Sequence, residues 1–70
     1  MDMWDVCCGW KITASARPTD AGFIATGAAV RLGVHPRSMR FGHIDGPFPS
    51  ERVAVLKALD WMRTWVKMGN

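Results

Sequence analysis

The chain has 70 residues and a formal net charge of +3. That length is near the lower limit for a self-sufficient core, so a single domain over residues 1–70 is expected, with little room for a catalytic pocket. The charge is mild: it permits a nucleic-acid partner without demanding one.

Residues 1–9 are the least patterned and read as a loose lead-in, with residues 6–8 pairing at a sheet edge. Asp2 and Asp5 bracket Trp4 there, and the acidic start lacks the basic and apolar regions of a signal peptide. Cys7 and Cys8 are the only cysteines and they are adjacent. A bridge between neighbours is strained and closes no useful loop, so disulfide staples are excluded. Reduced thiols point to the cytoplasm.

Residues 10–17 alternate cleanly. Trp10, Ile12, Ala14 and Ala16 share one face, and Lys11, Thr13, Ser15 and Arg17 share the other. A period of two with one apolar face is a half-buried antiparallel strand. Residues 18–22 supply Pro, Asp and Gly for a turn. A second strand follows over residues 23–32. Its two parities are Ile24, Thr26, Ala28, Val30, Leu32 and Phe23, Ala25, Gly27, Ala29, Arg31. We take the first as inward, because Arg31 then points to solvent. A helical period over residues 25–32 also fits, but β-branched content and the neighbouring strands favour a strand. Gly27 marks a bulge or a close approach by another element.

Residues 33–38 read as a loop, with His35 extended before Pro36. A shorter third strand covers residues 39–44, and Asp45, Gly46 and Pro47 break it. Residues 50–68 are the one long segment free of Gly and Pro. At about 100° per residue, Ala54, Val55, Ala58, Leu59, Met62, Trp65 and Val66 form one stripe. Ser50 suits the N-cap, Glu51 the first turn, Lys67 the last turn and Gly69 the residue beyond the end. An isolated helix of this length is marginal in water, so it needs the sheet. No apolar run approaches the ~20 residues of a membrane span. The expected fold class is therefore α+β: a three-stranded antiparallel β-β-β-α meander over residues 10–45, packed on one C-terminal helix at 50–68.

Three stretches carry a resemblance: Trp10-Lys-Ile-Thr-Ala-Ser-Ala, the strand beginning Phe23-Ile-Ala, and Gly46-Pro-Phe-Pro-Ser-Glu leading to Ala54, Ala58 and Trp65-Val66. Together they resemble a group of short uncharacterised bacterial β-β-β-α proteins, over residues 9–67. These are core and cap positions, so the resemblance implies a fold and carries no activity. The element order is also similar to the three-strand-plus-helix DNA-binding domains of phage integrases and plant ethylene-response factors, by topology alone.

A two-layer domain leaves one sheet face open, and function would sit there. Residues 6–44 hold five basic side chains, Lys11, Arg17, Arg31, Arg37 and Arg40, against one acid, Asp20. Such a face can lie in a major groove of nucleic acid, with Lys and Arg on phosphates and one or two Arg reading guanine edges. The bland alternative is an ordinary solvated outer face. The aromatic load offers a second surface. Four tryptophans and three phenylalanines are hard to bury in so short a chain. Trp4, Phe23, Leu56 and Trp61 are left over and suggest a patch for a protein partner or a homodimer.

Other constellations are weaker. Cys7, Cys8, His35 and His43 offer zinc ligands at the wrong spacing, since adjacent cysteines chelate one tetrahedral ion poorly. Cys8, His43 and Asp45 are the only conceivable nucleophile set, and nothing in the sequence joins them. Asp45 and Glu51 occupy turn and cap positions. The expectation is a cytoplasmic, non-enzymatic binding module with no cofactor, metal, membrane or small-molecule substrate. Protein association ranks first and nucleic acid second.

Overall fold

A computed structural model of the chain describes residues 1–33 and 35–69. Its elements are β1 (Met3–Cys7), β2 (Trp10–Thr19), β3 (Gly22–Arg31), β4 (Arg37–Phe48) and α1 (Glu51–Lys67). The strands form one antiparallel sheet in the order β1-β2-β3-β4. α1 lies across one face of it. The fold is α+β with a single C-terminal helix, as expected, but the sheet has four strands rather than three. Val34, within the expected loop, lies outside the described residues.

The helix follows its sequence closely. The Ser50 hydroxyl accepts a hydrogen bond from the Val53 N–H at 3.1 Å, satisfying one free donor of the first turn. Glu51 and Lys67 occupy the first and last turns, where the macrodipole favours their charges. Gly69 takes φ 88° just beyond the end, and its N–H donates to the Val66 carbonyl. Ala54, Val55, Ala58, Leu59, Met62 and Val66 are buried, with Trp65 half-buried beside them.

The additional strand is β1, which pairs with β2 from Met3 opposite Ala14 to Cys7 opposite Trp10. Met3 and Cys7 pack on the core. Asp5 shares their parity, and that hides the alternation. Its carboxylate does not need solvent on that side, because Arg63 of α1 reaches it: Nε donates to Oδ2 at 3.0 Å, and a terminal guanidinium nitrogen is also at 3.0 Å.

The parity of β3 is the reverse of the one expected. Ala25 and Ala29 are fully buried in the main cluster and Phe23 packs against it. Val30 and Leu32 are 41% and 51% exposed. Of the expected inward set only Ile24 is buried, and it lies outside that cluster. Volume decides the matter, not hydropathy. A Cβ on Gly27 would come within 2.6 Å of Met62 Cε and 2.9 Å of the Thr13 carbonyl oxygen. Larger side chains on that face would hold α1 away and forfeit contacts along its whole alanine stripe.

β4 is longer than expected, because its register against β3 shifts twice, between Phe23 and Ala25 and between Ala25 and Gly27. The bulges bring Phe41, Ile44 and Phe48 all onto the core. Asp45, Gly46 and Pro47, expected to end the strand, lie within it. Pro47 is tolerated because β4 is an edge strand. Strand β2 likewise runs on to Thr19, so its turn to β3 consists of Asp20 and Ala21.

Aromatic rings close one flank of the two layers. Trp10 meets Trp65 edge-on at 5.1 Å, Trp65 meets Phe41 at 5.2 Å, and Phe41 meets Trp61 at 5.1 Å. Each edge-to-face pair is worth about 0.5–1.5 kcal/mol beyond its buried area. Three in series are a substantial support for a small domain.

The close approach at Gly27 is directly testable. Gly27→Ala is expected to lose about 1–3 kcal/mol by overpacking, a fall in Tm of roughly 4–8 °C per kcal/mol for a chain of this size. Gly42→Ala, where an added Cβ meets nothing within 4 Å, should stay within about 0.5 kcal/mol of the parent. Thermal melts of the two variants side by side give the answer, and equal melts would remove the packing argument.

Candidate nucleic-acid interface

The sheet face away from α1 is set by the register. Directly opposed residues of an antiparallel pair project to the same side. One row across the sheet is therefore Trp4, Thr13, Ala28 and Arg40, and the next is Val6, Lys11, Val30 and Ser38. Ser15 opposite Thr26 and Arg17 opposite Ile24 continue it. Trp4 to Arg40 spans three interstrand gaps, about 14 Å at roughly 4.7–4.9 Å each.

Trp4 is 64% exposed. Lys11 Nζ lies 5.2 Å from the centre of a Trp4 ring, a cation–π contact that braces the indole against the sheet. Val6 is also exposed, and Ala28 and Thr13 beside it are low and half-buried. The centre of the face is thus a shallow apolar shelf with an aromatic wall at the β1 edge. Lys11, Arg17 and Arg40 surround it, and no carboxylate occupies a paired position on this face. Asp45 faces Ala25 instead, in a cleft with Lys57, Asp60 and Trp61. Asp5 faces α1, where the Arg63 hydrogen bond, helped by the Val6 N–H, holds its carboxyl below the ordinary value.

The five basic residues named from sequence separate into two groups. Lys11, Arg17 and Arg40 lie on the open face. Arg31 does not: it pairs with Trp10, whose side chain is buried under α1, so it belongs to the helix side. This corrects the assumption that Arg31 points to the open face. Arg37 opens β4 directly opposite Arg31. The two line a cleft of about 400 Å³ at the end of the sheet, with Trp10, Met39, Trp65 and Gly69. They therefore continue the positive field round that end.

The four residues named as an apolar patch do not form one surface. Phe23, outward on the expected parity, is half-buried against the core. Trp61 is 40% exposed and leans on Phe41 of β4. Leu56 is exposed about 140° away from Trp61 round the helix, at about 100° per residue. Only Trp4 stands on the open face. Sequence reasoning missed Val6, Ala28 and Val30 as its neighbours. The shared parity of Trp4 and Val6 in β1 was the available signal, obscured by Asp5 between them.

Cys8, His43 and Asp45 are not brought together. Cys8 adjoins the Trp10 end of β2, whereas Asp45 faces Ala25, which pairs with Ala16. That separation is about 20 Å at roughly 3.3–3.4 Å per residue. Among the described residues no three of His, Cys, Asp and Glu are placed to share a metal ion. No helix among them is long and apolar enough to cross a membrane. Comparison with protein-family models, curated proteins and solved structures finds no match for this chain.

The ion pair that anchors β1 predicts a pH dependence. Because the folded-state pKa of Asp5 is lowered, its stabilising effect is present above the unfolded carboxylate value, about 3.9, and is lost as pH falls through the folded value. Asp5→Asn should melt below the parent at neutral pH, and the gap should close on acidification below about pH 4. A gap that stays constant over a pH series of melts would assign the loss to shape and not to charge.

Proposed function

We propose that the chain is a small nucleic-acid-binding module that takes single-stranded nucleic acid on the open face of its sheet. The observation that carries this is the Trp4 row. An exposed indole braced by Lys11 shares the open face with Arg40 and Arg17, and no carboxylate occupies a paired position of that face. Aromatic stacking with flanking cations is how single strands are held without strict sequence preference. A four-stranded sheet accommodates about two or three stacked bases in this way. The shelf of Val6, Ala28 and Val30 suits the flat faces of bases better than the phosphate walls of a duplex groove. The fourth strand also departs from the three-strand order of the integrase and ethylene-response DNA-binding domains.

Association with a protein partner is the second reading, favoured by the exposure of Val6, Val30 and Leu32. Self-pairing through this face is opposed by charge, because a two-fold contact would set Lys11, Arg17 and Arg40 of two copies against each other.

Fluorescence anisotropy with labelled single-stranded DNA, single-stranded RNA and duplex DNA tests the proposal. Three phosphate contacts predict a log K against log salt slope of about −2 for a single strand. Trp4→Ala should weaken binding roughly 5- to 150-fold, from about 1–3 kcal/mol per stacked base. Arg40→Ala should reduce the slope by about 0.7. Absence of binding at low salt would sink the reading, and preference for duplex would transfer it to groove binding. A concentration-dependent dimer in sedimentation, without nucleic-acid binding, would favour the second reading.

A further inference from the structure

The tip of the β1–β2 hairpin holds a second feature, independent of the open face. Cys7 ends β1 opposite Trp10, and Cys8 and Gly9 are the two turn residues between them. Both take positive φ, 55° and 82°. That is the signature of a two-residue type I′ turn, whose first position is ordinarily Asn, Asp or Gly. A cysteine there occupies a left-handed conformation that a residue with a Cβ adopts at a cost.

The conformation has a consequence for the thiols. Successive side chains of an extended strand point to opposite faces. The left-handed turn at Cys8 swings its side chain back, and the two sulfur atoms lie 3.4 Å apart. Cys7 is half-buried and packed on the core, and Cys8 is exposed. The hydrogen bond with Cys8, and burial, push the Cys7 thiol above its ordinary value. Cys8 also borders a cleft of about 410 Å³ with Trp10, Arg31 and Lys67.

We propose that Cys7 and Cys8 form a two-thiolate chelate for soft, three-coordinate thiophilic species, of which trivalent arsenicals are the type. Soft thiolates select soft centres. A pyramidal arsenic(III) centre joins two sulfurs held close on one side and keeps a third substituent, which the adjoining cleft has room to take. Zinc needs four ligands in a tetrahedron, and no further His, Cys, Asp or Glu joins this pair among the described residues. The reaction is a substitution. Each thiol loses its proton, each arsenic–hydroxyl bond of the hydrated arsenical is replaced by an arsenic–sulfur bond, and two waters leave. No oxidant or reductant takes part.

The test uses the whole chain, reduced, with phenylarsine oxide as probe. Intact mass should rise by one phenylarsenic unit in place of two protons. The adduct should survive excess monothiol, be removed by a dithiol, persist in excess zinc, and raise Tm by several degrees. Cys8→Asn, which installs a residue the turn favours, should melt at or above the parent and lose the adduct. Cys8→Ser gives the same comparison should Cys8→Asn fail to fold. The proposal is overturned if the reduced parent takes up no arsenical, or if monothiol or zinc strips it. Equal retention by either variant would overturn it too, as would closure of the pair to a disulfide in place of uptake.

Discussion

The close approach of α1 to the sheet is the constraint on which the rest depends. It is made by small residues on both sides: Ala54 and Ala58 on the helix, and Ala14, Ala25, Gly27 and Ala29 on the strands. Alanine and glycine lose little side-chain entropy on burial, and they let two backbones come near enough for dispersion to act over the whole contact. The bulky side chains are displaced to its margins. Trp10, Trp65, Phe41 and Trp61 close one flank in an edge-to-face series, while Ile12, Val55 and Met62 fill the middle.

That packing determines what is left for function. Because the inward positions of β3 are taken by small residues, its larger aliphatic side chains are turned outward. Val30 joins Val6 and Ala28 in a flat shelf beside Trp4, and Arg31 passes to the helix side. The open face is therefore more apolar at its centre than an ordinary solvated sheet, and its charges stand round the shelf. A surface of that kind fits a ligand with flat faces and a negative backbone. A water-filled groove lined only with cations would not discriminate in the same way.

Much of this was legible in the sequence, and the parts that were not have physical causes. The helix could be read because its cap, stripe and stop are local and agree. β2 could be read because its alternation has no exception. β1 could not, since Asp5 sits at an inward position for the sake of Arg63, 58 residues away. The parity of β3 was misread because the usual rule, larger apolar residues inward, is reversed where a helix must come close. In β4 the core residues Phe41, Ile44 and Phe48 fall three and four apart, a helical spacing that bulges in a strand can imitate. Of the proposed binding surface, the basic character was visible. Its division between two sides of the sheet was not, because it follows from the β3 parity.

The unequal lengths of the strands bear on how copies of the chain behave toward one another when crowded. β1 stops pairing at Ala14, so the rest of β2 has no strand on its outer side. An uncovered run of backbone amides is a template for adding a foreign strand. Here the run contains Pro18, which has no N–H to offer, and Arg17, whose charge repels a like neighbour. The opposite edge, β4, is bent by two bulges and carries Pro47. The β2 overhang and the β4 margin are thereby blunted, and the remaining edge, β1, is only five residues long and carries the charged Asp5. The chain can keep an apolar shelf exposed without its edges seeding fibrils.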